Sequence, residues 1–112
     1  MSIQLAFQTV QLRQICESPL SAKRSLGEEA ALSLRTRLAD VRASTSPVDV
    51  MALGFATFDS ASDVQIFIYI EGSYTVTATV NHREVPRLED GQVDWKQITR
   101  LKILSIEPAN EN

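Results

Sequence analysis

The side chains that could do chemistry are few and scattered. One histidine, His82, and one cysteine, Cys16, stand 66 positions apart. Zinc sites need clustered nitrogen and sulfur ligands, so no metal site is expected. His82 lies beside Arg83 and Glu84 in a polar stretch, where it reads as a solvated loop residue or as a general acid or base. Cys16 is followed by Glu17, whose charge would not activate a thiol, so it reads as a packing residue. Glu89 and Asp90 form an adjacent carboxylate pair, but Gly91 follows them and marks a turn. No glycine-rich phosphate loop, nucleophile elbow or zincin motif is present. The remaining chemistry is cationic: Arg83, Arg87, Lys96, Arg100 and Lys102 are the positive charges of the second half. Lys102 interrupts an apolar run, either guarding an edge strand or facing phosphate from the open side of a sheet. Trp95 is expected to lie as a lid on the core.

The elements that must position these residues are legible from periodicity. Ile3 to Phe7 reads as a first strand, and Thr9 caps a helix running to about Glu17. Ser18-Pro19 interrupts it. A long helix is expected from about Ser21 to Ser44, with Leu26, Ala30, Leu34, Leu38 and Val41 on one stripe. Ser25 and Glu28 offer a second start inside it, next to Gly27. Arg35 and Arg42 share a face seven positions apart, read as a solvated surface. Ser46-Pro47 opens a short helix ending near Leu53-Gly54.

The period then changes. Phe55 to Phe58 suits a strand, and Asp63 to Glu71 puts Val64, Ile66, Ile68 and Ile70 on one face. Glu71-Gly72-Ser73 makes a turn into Tyr74 to Val80, where Tyr74, Val76, Ala78 and Val80 alternate with Thr75, Thr77 and Thr79. In Val85 to Glu107, Asp94 and Gln97 have capping-box spacing, and Val93 and Ile98 have that of a hydrophobic staple. Leu101 to Ile106 is a mostly apolar strand, and Glu107 to Asn112 reads as a frayed tail. The expected fold class is α+β, with two N-terminal helices on one face of an antiparallel sheet of four to five strands.

The totals agree with one domain covering residues 1–112. Residues 1–54 carry six basic and five acidic side chains, a balance of +1, whereas residues 55–112 carry five and nine, a balance of −4. A sheet half this acidic argues against a strong nucleic-acid face. The lone cysteine, the missing basic leader and the short apolar strings fit a cytoplasmic protein with no membrane segment.

Three stretches carry a family resemblance. Leu12 to Ser18, with Ala22 to Gly27 and Leu34 to Ala43, is similar to a helical hairpin; Tyr74 stands on the penultimate strand; and Val85-Pro-Arg-Leu-Glu-Asp-Gly, Asp94-Trp, Ile98-Thr and Ile103 to Ile106 form a loop, turn and final strand. Together they resemble the RelE/ParE superfamily of toxins, within it the HigB-like group called plasmid maintenance killer or killer-suppression proteins. The resemblance implies a β-α-α-β-β-β toxin that inhibits translation by cleaving messenger RNA on the ribosome. It implies neutralisation by a helix-turn-helix antitoxin, and no cofactor. It carries over Tyr74 or His82 as proton-transfer residues, and Arg83, Arg87 and Lys102 as RNA-binding ones.

The chain departs from that pattern where the chemistry would sit. Thr75 stands where the family has arginine after the strand tyrosine, Ser62-Asp63-Val64-Gln65 replaces basic residues, and Glu107-Pro-Ala-Asn replaces a Tyr-His ending. Three expectations follow: an active endoribonuclease toxin; a catalytically degenerate relative that binds a helix-turn-helix antitoxin or regulator; or an unrelated α+β interaction domain.

Overall fold

The computed structural model describes residues 2–109. Strand β1 (Gln4–Phe7) leads into α1 (Val10–Glu17), α2 (Pro19–Leu26), α3 (Glu28–Ala43) and the short α4 (Pro47–Ala52). Strands β2 (Ala56–Phe58), β3 (Gln65–Ile70) and β4 (Tyr74–Val80) follow, then a single 3₁₀ turn (Trp95–Gln97) and β5 (Arg100–Pro108). The fold is α+β, with five strands in the order β1-β5-β4-β3-β2.

Local chemistry explains the helix boundaries. Thr9 caps α1, its Oγ1 accepting from the Leu12 N–H at 3.1 Å. Ser18 ends that helix and caps the next, its Oγ accepting from Ser21 N–H at 3.2 Å, while Pro19 supplies the preset first position of α2. The long helix expected over Ser21 to Ser44 is therefore two helices, and the Ser25–Glu28 capping box expected inside it does not form: Ser25 lies within α2, and α3 starts after Gly27 with no side-chain cap bond. Gly27 has φ +91°, a value open to glycine at little cost. Its N–H bonds the Lys23 carbonyl and its own carbonyl accepts from Ala31 N–H, so one residue ends α2 and begins α3.

The core lies between the helices and one face of the sheet. The stripe holds on α3, where Ala30, Leu34, Leu38 and Val41 are buried in one cluster with Ile66, Ile68, Val76, Ala78, Leu101 and Ile103, whereas Leu26 falls at the end of α2 and packs partly buried against it. Ile68 pairs with Val76, and Ile66 with Ala78, which pairs in turn with Ile103, so the inward residues of adjacent strands stack side by side. A bulge opposite Thr77 and Ala78 inserts Leu104 as an extra residue in β5.

Three details differ from the local reading of the sequence. The sheet is antiparallel from β2 through β5, but β1 joins parallel to β5, with Leu5 opposite Leu101. A parallel pair needs a long crossover, and the helices together with the hairpin strands supply it. The capping box at Asp94 does not form: its side chain makes no cap bond. Asp94 has ψ 84°, and the turn is closed by its backbone carbonyl accepting from Gln97 N–H at 2.9 Å. The staple residues Val93 and Ile98 are nonetheless both buried in the core. The expected tail also begins later: Glu107 and Pro108 belong to β5, and Ala109 N–H donates to the Ser73 carbonyl. Residues 110–112 of that tail lie outside the described residues.

Candidate functional site

The structure disperses the residues that resemblance and residue type had singled out. Tyr74 opens β4, opposite Ile70 and Pro108, and packs half-buried against the core. His82 lies past the other end of that seven-residue strand. Such a strand is roughly 20 Å long, so the two cannot share one proton-transfer step.

His82 is built into the scaffold. Its Nε2 accepts from the N–H groups of Thr99 at 2.9 Å and Arg100 at 3.2 Å. An imidazole that accepts at one nitrogen carries its proton on the other, so this geometry needs the neutral ring. Burial, aided by the nearby Arg100 charge, holds its pKa below the ordinary histidine value. The ring nitrogen available for proton transfer in a solvated histidine is here committed to the start of β5.

The basic residues likewise face different tasks. Arg87 donates to Asp63 at 2.9 Å and to the Gly91 carbonyl at 2.8 Å, clamping the 81–98 loop to the approach of β3. Arg83 is exposed on that loop. Lys102 is on an interior strand, flanked by Ala6 of β1 and Thr79 of β4. The edge-guard role is thus removed by the parallel partner, and Lys102 belongs to the open face. Trp95 does cover the sheet end, its ring centroid 4.9 Å from that of Phe58.

That open face is set by register. One row across the sheet is Ala6, Lys102, Thr79 and Gln65; the next is Ser105, Thr77, Phe67 and Thr57; the third is Glu107, Thr75 and Tyr69. These side chains point away from the buried residues with which they alternate. Phe67 is half-buried yet lies outside the core cluster, and Tyr69 is 44% exposed. The Tyr69 and Thr57 hydroxyls lie 3.0 Å apart, tying β3 to β2 on this side.

A second feature was not legible as a site. Helices α1, α2 and α3 enclose an open groove of about 630 Å³. Ile15, Cys16, Ala22, Ala31 and Leu34 supply apolar lining, and Leu32, 65% exposed, stands in its wall. Arg35 and Arg42 line it together with Lys23, Glu17 and Glu28. Among the described residues neither arginine has a carboxylate within ion-pair distance. The seven-residue spacing of Arg35 and Arg42 was the available signal, but a face of that kind is also what a solvated helix presents. Burial pushes the Cys16 thiol up to about 11, with Arg42 opposing and Glu17 reinforcing the shift. The thiol is therefore protonated at neutral pH and serves as lining, as its surroundings in the sequence suggested.

No group of three or more histidine, cysteine or acidic side chains able to hold a metal occurs among the described residues. No helix among them is long and apolar enough to cross a membrane. Comparison with protein-family models, curated proteins and solved structures finds no match for this chain.

Proposed function

We propose that this chain is the toxin-like member of a toxin–antitoxin pair and acts as a catalytically degenerate binding partner of a small helix-turn-helix protein. The resemblance of Val85 to Ile106 to HigB-like toxins supplies the class of partner. The groove between α1, α2 and α3 carries the binding role. It combines apolar lining, an exposed leucine and two arginines with no carboxylate at ion-pair distance among the described residues, which suits an amphipathic helix with acidic flanks. Two turns of α3 separate Arg35 from Arg42, about 10 Å, so acidic residues seven apart on the incoming helix would meet both.

A binding role is favoured over messenger-RNA cleavage by the engagement of the His82 Nε2 with backbone, which leaves Tyr74 alone of the two proton-transfer candidates. General acid–base chemistry needs donor and acceptor within hydrogen-bond reach of one reacting group. Induced expression with and without the adjacent gene tests both readings. Normal growth with co-purification of the two proteins, abolished by Leu32→Glu, supports the proposal. Growth arrest relieved by the neighbour and lost on Tyr74→Phe or Arg87→Ala would establish the cleaving toxin instead. An absence of binding to a helix-turn-helix neighbour, with no growth phenotype, would leave an unrelated interaction domain.

A further inference from the structure

We propose that the open face of the sheet is a self-association surface, on which two copies of this chain stack face to face with their strands reversed. The helices pack on the other side, so Phe67, Tyr69 and Thr77 lack a cover among the described residues. An uncovered sheet face carrying the β3 aromatics is suited to packing on a second sheet, at about 10 Å separation.

Charge selects the partner and its orientation. Arg100 and Lys102 stand at one end of the face, and Glu107 at the other end of the same strand, with the neutral row of Ser105, Thr77, Phe67 and Thr57 between them. A two-fold axis lying in the interface, across the strands at the level of Thr77 and Phe67, exchanges the two ends. It lays β5 of one copy over β5 of the other. Lys102 of each copy then faces Glu107 of its mate, Gln65 faces Tyr69, and Phe67 meets Phe67. The pairing is made twice, as an isologous interface requires. An axis along the strands would instead keep like ends together and leave both charges without opposite partners. Lys102 is half-buried and stands between Ala6 and Thr79 in its row.

Strand spacing and rise give this face roughly 500 Å² per copy, which belongs to weak, transient interfaces. Association is therefore expected at high micromolar concentration and to weaken with salt.

Sedimentation equilibrium over a concentration series tests the proposal. The wild-type mass should rise toward that of a dimer. Lys102→Glu and Glu107→Lys should each weaken association about tenfold or more, because each replaces two attractions by two repulsions. The double exchange K102E/E107K should restore it, a result that simple misfolding of the single variants would not produce. Circular dichroism of each variant confirms that the fold is retained. A wild type that stays monomeric throughout overturns the proposal. So does a dimer indifferent to the single reversals, or a monomer that instead retains single-stranded RNA through Lys102.

Discussion

His82 fastens the end of β4 to the beginning of β5: its Nε2 receives the backbone N–H groups of Thr99 and Arg100. These donors would otherwise lie at the entry to an interior strand. The bond exists only with a neutral ring, and the pKa of His82 lies below its ordinary value of 6.5. A depressed histidine pKa means that the unfolded chain binds the proton more readily than the folded one. Stability from this group is therefore complete above about pH 6.5 and lost as pH falls through the folded pKa. Urea melts at neutral and mildly acidic pH should show that loss in the wild type. His82→Gln should flatten this contribution while costing about 1 kcal/mol at neutral pH.

Gly72 and Ala30 form a second tight relationship, between the β3–β4 hairpin and α3. Gly72 has φ +84°, and a Cβ there would lie 2.8 Å from the Ala30 Cβ. Beside it, the Ser33 hydroxyl accepts from Glu71 N–H at 2.9 Å. Gly72→Ala should cost about 2–3 kcal/mol, combining a left-handed backbone penalty with the clash. Gly91→Ala, with φ +88° but no atom within 4 Å, should cost about 1 kcal/mol. Thermal melts of the two variants isolate the Ala30 contact as their difference.

Leu32 and Leu34 lie two positions apart on α3 and separate binding from stability. Leu34 is 1% exposed and sits in the core, so Leu34→Ala should cost about 2–5 kcal/mol. Leu32 is exposed in the groove wall, so Leu32→Glu should change stability by less than about 0.5 kcal/mol while abolishing capture of the helical partner. Equal destabilisation by both variants would remove Leu32 as a binding residue.

Cys16 should react slowly. Its pKa is about 11 against an ordinary 9.0. Alkylation by iodoacetamide at neutral pH should therefore run roughly a hundredfold below that of a free thiol, because only the thiolate attacks. Arg42→Ala should slow it further, since the Arg42 charge favours the thiolate. A rate equal to that of a free peptide thiol would contradict this environment.

Short-range periodicity made much of the fold legible. The four-and-three spacing of Ala30, Leu34, Leu38 and Val41 specifies one helical stripe, and all four are buried. The strict alternation of Tyr74 to Val80 likewise separates buried Val76, Ala78 and Val80 from the threonines. Thr9, Ser18 and Gly27 mark helix boundaries because capping is decided within three or four residues. The Asp94 cap failed on the same scale. Residue spacing can suggest a capping box, but the backbone angles that would admit it are set by how the loop reaches β5.

What the sequence alone determined is therefore which side chains face inward and where most helices begin. Only the tertiary structure decided the neighbours. It brought β5 between β1 and β4, turning Lys102 from a possible edge guard into part of an open face. It also spent the His82 ring nitrogen on backbone and drew α1, α2 and α3 around a groove. The physical reason is range. Periodicity and capping act within a few residues, whereas strand order and groove formation depend on contacts between segments distant along the chain, whose pairing no local pattern encodes.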